Sequence, residues 1–228
     1  MARLKPEHRY TIGLLLLTTS TGAIDAVSYL ALDRVFTGNM TGNVLFLGFA
    51  LVGVPGIPFL NNAVALAGFV VGSIVSGRII GRHQAQGFPR SSAWILVAGA
   101  VIIVGLGTAW LTMVDLPEPS LLVITALLAA VMGAQVSAVK PIGNSDVTTI
   151  VVTNTVANLA RDTRLGGGTN AAWLPRLLAI VAMFAGAAIG AAAVVYAGRS
   201  VALLIAAAIF VSATAVLIAT SRMPLAAP

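Results

Sequence analysis

The chain has no cysteine, only two histidines and few charges, with Asp, Glu, Lys and Arg together making up 9% of its 228 residues. Without cysteine there is neither a disulfide nor a thiolate metal site, and the redox compartment cannot be read. His8 and His83 stand in basic connections with no paired acids beside them, which gives a metal site no support. No Ser or Thr has a histidine partner on a plausible neighbouring segment, so covalent hydrolysis has no support either. The run Gly166-Gly167-Gly168 lacks the lysine and the strand of a phosphate-binding loop. The chain therefore reads as a non-enzyme with no cofactor. The scarcity of charge says most. A composition that is 58% hydrophobic, with a mean hydropathy of +0.99, carries more apolar surface than a core of this length can hide from water. The reading is an all-α polytopic membrane protein whose apolar surface meets lipid. Thirteen basic residues against seven acidic ones give a net charge of +6. They are scattered through short connections instead of forming a stripe or an arm, so the excess reads as a topology signal and no nucleic-acid partner is expected.

Six segments have the length and apolarity of spanning helices: Tyr10 to Leu32, Leu60 to Ile80, Ser92 to Val114, Ser120 to Val139, Trp173 to Ala197 and Ser200 to Thr220. The first has no clean small-residue cleavage site before Asp25 and reads as a retained span. Two further segments, Val35 to Val54 and Val147 to Ala160, are too polar or too short to be ordinary lipid-facing spans. The positive-inside rule decides between placements, because each added crossing flips every later loop. If neither crosses and the N-terminus is cytoplasmic, Arg78, Arg82, Arg90, Lys140, Arg161, Arg164, Arg176 and Arg222 are cytoplasmic, while Asp115 and Glu118 are outside. Only Arg34 and Arg199 then break the rule. We expect six spanning helices plus two re-entrant or broken helical segments in a single integral domain, residues 1–228. The alternative is eight spans arranged as a parallel repeat.

The two halves, about 9–115 and 119–222, resemble each other weakly. Thr21, Gly22 and Ala23 fall over Met132, Gly133 and Ala134; after one inserted residue Thr37 falls over Thr149 and Thr41 over Thr153. Gly68 and Gly72 are matched to Gly186 and Gly190. With three crossings per half the halves must point in opposite directions, which is the inverted repeat of many transporters and channels. Irregular backbone at membrane depth is tolerated only where protein or water satisfies it, so a site between the halves is expected.

The candidate site residues follow from polarity at that depth. Asp25 lies inside an apolar run, where a carboxylate costs about 2.5 to 3.5 kcal/mol on insertion scales. At helical spacing Thr21, Asp25 and Ser28 share a face. The acid reads as a proton or cation site, or as a structural group bonded to neighbouring backbone or to Arg34. Thr37, Asn39, Thr41 and Asn43 crowd polar side chains around Gly38 and Gly42, reading as solute-path lining or as interhelical glue. In the second half Gln135, Thr149, Thr153 and Asn154 repeat that character without the glycines.

The block GAIDAVSYLALDRVFTGNMTGNVLFLGFAL, Gly22 to Leu51, and the later block MGAQVSAVKPIGNSDVTTIVVTNTVANLARD, Met132 to Asp162, resemble the two signatures of the YoaK-like (DUF1275) family of bacterial multispan membrane proteins. That family usually carries an asparagine after the glutamine, where this chain has Val136. The resemblance implies a bacterial cytoplasmic (inner) membrane location, and no activity is established for the family.

The leading functional expectation is a transporter for a small polar or charged solute, proton- or cation-coupled through Asp25. The expected partners are the lipid bilayer and that solute or ion, and the small-residue faces suit a homodimer. A passive channel and a non-transporting scaffold or sensor stand as rivals. Both termini are expected in the cytoplasm. Single cysteines placed at Gln84 and at Glu118 test this: an impermeant thiol reagent added from outside should label position 118 and spare 84, and the reverse pattern overturns the six-span topology.

Overall fold

A computed structural model describes residues 6–81, 87–113, 117–144, 152–169 and 172–223. Every regular element among them is helical: α1 (Pro6–Ala31), α2 (Met40–Leu51), α3 (Phe59–Ile80), α4 (Arg90–Leu111), α5 (Glu118–Val139), α6 (Val152–Arg161), α7 (Trp173–Ala197) and α8 (Arg199–Ser221), with two short 3-10 turns after α5 and α6. Six of the eight are long and apolar enough to cross a bilayer, and they are the six segments expected from hydropathy. The other two, α2 and α6, are short. At about 1.5 Å per residue the 12-residue α2 rises only about 18 Å, well short of the roughly 30 Å hydrocarbon core. The 10-residue α6 is shorter still. The protein is therefore an all-α polytopic membrane protein with six spanning helices and two short ones.

α1 lies at the centre, packed on α7 and α8; α3 pairs with α5, α4 bridges α5 and α8, and the short helices α2 and α6 rest on α3 and α7. Buried Leu17, Ile24, Leu128, Met132, Leu203 and Phe210 form one continuous core. Outside it, Val70, Val71, Ile74, Val75 and Ile79 of α3 are exposed, a face that only hydrocarbon would cover at low cost. Hydroxyls inside the spans bond backward to their own helix, as Thr18 does to the Leu14 carbonyl (2.9 Å) and Thr21 to that of Leu17 (3.0 Å). Others cross between helices: Ser20 donates to the Ala206 carbonyl (2.9 Å) and Ser76 to that of Ala134 (3.0 Å).

Two helix pairs are in backbone contact. A Cβ added at Gly72 of α3 would collide with the Ala130 carbonyl of α5, and one added at Gly186 of α7 with the Thr19 carbonyl of α1. With no hydrophobic effect to drive helices together in lipid, such close approach is the main source of packing attraction. The obstacle in each case is backbone, which cannot swing aside. Gly72→Ala and Gly186→Ala should each destabilise the fold by about 1 to 3 kcal/mol, while Gly48→Ala and Gly105→Ala, which meet open space, should be neutral or mildly stabilising. Unfolding in detergent micelles would check this, and equal behaviour of the two pairs would count against the packing described.

Candidate functional site

α1 ends in an unusual turn. Asp33 and Arg34 both take left-handed backbone conformations, with φ of 57° and 58°, although neither is glycine. Each costs about 1 to 2 kcal/mol relative to ordinary helix. Asn61 of α3 donates to the Asp33 carboxylate (3.0 Å), and the chain folds back so that Val35 to Asn39 run beside the helix they have just left. That return brings the linker to Asp25.

Asp25 Oδ1 accepts hydrogen bonds from the backbone N–H of Gly38 (2.6 Å) and of Thr37 (3.0 Å), with the Thr37 hydroxyl at 3.5 Å. Gly38 keeps this approach free of crowding, since a Cβ at that position would stand 3.1 Å from the other carboxylate oxygen and from the Thr21 methyl. Asn43 deals with the neighbouring residue. Its Oδ1 accepts from the Phe36 N–H (3.0 Å) and its Nδ2 donates to the Phe36 carbonyl (2.5 Å), so both ends of its amide serve the linker backbone. Asn39 caps α2, accepting from the Gly42 N–H (3.3 Å). In an irregular segment that lipid could not solvate, Phe36, Thr37 and Gly38 are thereby bonded by two side chains, Asp25 and Asn43.

The same residues border a cavity of about 920 Å³. Its lining is drawn from both halves: Gly22, Asp25, Ala26 and Tyr29 of α1; Phe36 and Gly38 to Gly42 of the linker and α2; Phe69 of α3; Val136 of α5; Val152 and Thr153 of α6; Met183, Ala187 and Ala191 of α7. Asp25 is partly exposed, toward this space, while Thr37 beside it is fully buried. The Tyr29 and Phe36 rings stack with centroids 4.9 Å apart, and Phe46 completes a three-ring cluster, 6.0 Å from Phe36 and 6.5 Å from Tyr29.

The expected site residues divide accordingly. Asp25, Asn39, Thr41 and Thr153 line the cavity. Thr37 and Asn43 are fully buried and are not among its lining residues: Thr37 donates its N–H to Asp25, and Asn43 holds the Phe36 backbone. Gln135 is buried between α5 and α1, where its Nε2 donates to the Thr21 hydroxyl (3.1 Å) and its Oε1 has no partner. Asn154 is exposed and is not among the lining residues; Thr149 lies outside the described residues. Ser28 turns to the carbonyl of Asp25 itself (3.1 Å), away from the shared polar face. Of the two structural partners considered for Asp25, the neighbouring backbone is the one in contact. Tyr29, Phe36, Phe69 and Met183 went unnoticed in the sequence. Tyr29 was findable, since it sits one turn beyond Asp25 on the same helical face.

At the far end of α6, Arg161 (3.0 Å) and Arg176 of α7 (2.5 Å) both bond the Asp162 carboxylate, and Arg176 also reaches the Asn158 carbonyl (3.2 Å). Arg161 first, and then Arg176, hold that carboxyl below the usual carboxylate range. The tie between α6 and α7 is therefore intact at neutral pH and loosens only as pH falls through that lowered value.

A family model described as a protein of unknown function, DUF1275, matches residues 13–217, nearly the whole chain and both polar motifs. The chain belongs to the DUF1275 family. Within it, the chain is similar to the UPF0700 transmembrane protein YoaK of Bacillus subtilis (strain 168), at 31% identity over 155 residues, which is 68% of this chain and 67% of that relative. No solved structure matches the chain.

Removing either backbone clamp would leave buried donors without acceptors, at about 1 to 3 kcal/mol per group. Asp25→Ala and Asn43→Ala should each cost about 2 kcal/mol or more in detergent unfolding. Asp25→Asn keeps an acceptor oxygen and should cost less, and Thr41→Ala, at an exposed cavity position, should cost little. A harmless Asn43→Ala would contradict the clamp.

Proposed function

We propose that this DUF1275 protein moves a small polar or charged solute across the bacterial cytoplasmic membrane, by way of the cavity lined from both halves. The single observation that carries this reading is that cavity, with a membrane-embedded acid on its wall tied to the start of a helix too short to span. Ionisable residues at membrane depth face interiors and mark solute or ion paths more often than they serve packing. Asp25 is placed to couple: its carboxylate gathers the N–H groups of Thr37 and Gly38, so a proton or cation arriving at it competes with the hold on the N-terminus of α2.

The proposal includes an inverted repeat, which the contacts support in detail. The approach of Gly72 to Ala130 is matched by that of Gly186 to Thr19, the approach of Gly133 to Phe69 by that of Gly22 to Met183, and the bond from Ser76 to Ala134 by the approach of Gly190 to Ala23. Thr19, Gly22 and Ala23 thus map onto Ala130, Gly133 and Ala134 by one constant shift in numbering. Phe69, Gly72 and Ser76 map onto Met183, Gly186 and Gly190 by another. This register pairs Gly72 with Gly186, one turn away from the pairing suggested by alignment. The same shift places Val136 opposite Asp25. Asp25 and Val136, Thr41 and Thr153, and Phe69 and Met183 all line the one cavity, as a site on the axis between two related halves would require.

One rival has its own support. Because Asp25 and Asn43 both bond backbone, a scaffold whose polar residues only hold the linker would look the same at those two positions. Solute-driven proton movement in proteoliposomes separates the readings. Wild type should show it; Asp25→Asn should reduce it about tenfold or more, with folding retained. Equal movement by both proteins removes Asp25 from the mechanism, and no movement of any tested solute by wild type favours the scaffold.

A further inference from the structure

The cavity is strongly one-sided in chemistry. Among the described residues that line it, Asp25 is the one acid and none is Lys, Arg or His. Arg34 and Arg199 border, with Asp33, a neighbouring opening that shares Tyr29 and Leu30 with the cavity, and Arg199 lies over the Trp110 ring, 5.8 Å from its centroid. An anion would be drawn to the N–H groups at the entry to α2, but Asp25 Oδ1 already accepts from those of Thr37 and Gly38, and the Asn39 side chain caps the helix itself. A second negative group there would meet repulsion with no basic side chain to offset it.

A cation meets the reverse situation. Oδ1 of Asp25 is engaged by backbone, and the carboxylate as a whole faces the cavity from a partly exposed position. Tyr29 and Phe36 line the same cavity; one face of each ring is spent on the other, and an aromatic face left open attracts positive charge within about 6 Å. Thr41 and Asn39 add exposed oxygens. The wall that α7 and α5 contribute, Met183, Ala187 and Ala191 with Val136, has no polar side chain. An inorganic ion exchanges its water only for a shell of oxygens, which that wall does not supply. At about 920 Å³ the space is of the size that holds an organic molecule.

We propose that the cavity binds a small amphiphilic organic cation, an amine or quaternary ammonium. Its charged head meets Asp25 and the Tyr29 and Phe36 rings, and its hydrocarbon part lies on Met183, Ala187 and Ala191. This names the solute class for the path proposed above and rests on that reading for passage, not for binding.

The test uses the full chain in lipid nanodiscs and isothermal titration with three matched probes: benzyltrimethylammonium, phenylacetate and benzyl alcohol, with heats from empty discs subtracted. The ammonium should bind about tenfold or more tighter than either other probe. Asp25→Asn, which keeps an acceptor for the Gly38 N–H, should lose about tenfold, and Tyr29→Leu about threefold. Phenylacetate binding as tightly as the ammonium, undiminished ammonium binding by folded Asp25→Asn, or no binding of any probe would each overturn the assignment. Flux measured on the same protein in liposomes separates the two claims. Ammonium that binds without crossing sinks transport and upholds the cation site, whereas phenylacetate that crosses upholds transport and overturns the cation site.

Discussion

The fold around the cavity depends on one carboxylate. A chain that leaves a spanning helix, runs irregularly and then starts a short helix exposes backbone groups that hydrocarbon cannot solvate, and each one left bare costs several kcal/mol. Asp25 meets two of those groups with one oxygen, and its negative charge sits where the aligned peptide dipoles of α2 begin. Neither partner is stable alone at that depth. A lone acid in a span is costly, and so are bare N–H groups in the linker ahead of α2; together they satisfy one another. The left-handed pair Asp33 and Arg34 is strain accepted in order to bring the two together.

From that contact the rest of the site follows. With Thr37 and Gly38 fixed to α1 and Phe36 fixed by Asn43, the Phe36 ring is delivered onto Tyr29, and α2 begins where its own first residues border the cavity. The backbone contacts of α1 with α7 and of α3 with α5 then bring the second half's Val136, Thr153 and Met183 to the other side. Side chains from six helices and a linker converge because glycine lets four of those helices approach to backbone distance.

Much of this was legible in the sequence, and the limits are physical. The six spans could be read to within a few residues because length and apolarity are set by the bilayer, independently of tertiary contacts. Asp25 and the Thr/Asn motif stood out because polar groups in apolar runs are expensive. Asn43 and Asn39 looked alike in sequence but serve differently, one clamping buried backbone and the other capping a helix at the cavity edge. Which way an amide faces depends on where the linker turns, and that turn sits on Asp33 and Arg34, residues carrying no glycine or proline signal. The aromatic stack was hidden for the same reason. Tyr29 and Phe36 are seven residues apart in sequence and meet only after the chain reverses.

The contrast between Asp25 and Val136 bears on mechanism. If the halves form the inverted repeat proposed above, each can take in turn the arrangement the other had, which is how such repeats give access to alternate sides. If the halves were chemically identical, the two arrangements would be equal in energy and a solute would bias neither. Here α2 is pinned by an acid, while position 136 offers a hydrocarbon side chain to the same space. On the transport reading proposed above, a solute or proton that engages Asp25 loosens a hold that the first half has and the second lacks at Val136, and so would shift the balance between the arrangements. A ligand with no differential interaction could not shift it, however tightly it bound. Divergence at this pair, on an otherwise matched framework, is the feature that would let occupancy of the cavity be felt as a change in which arrangement prevails.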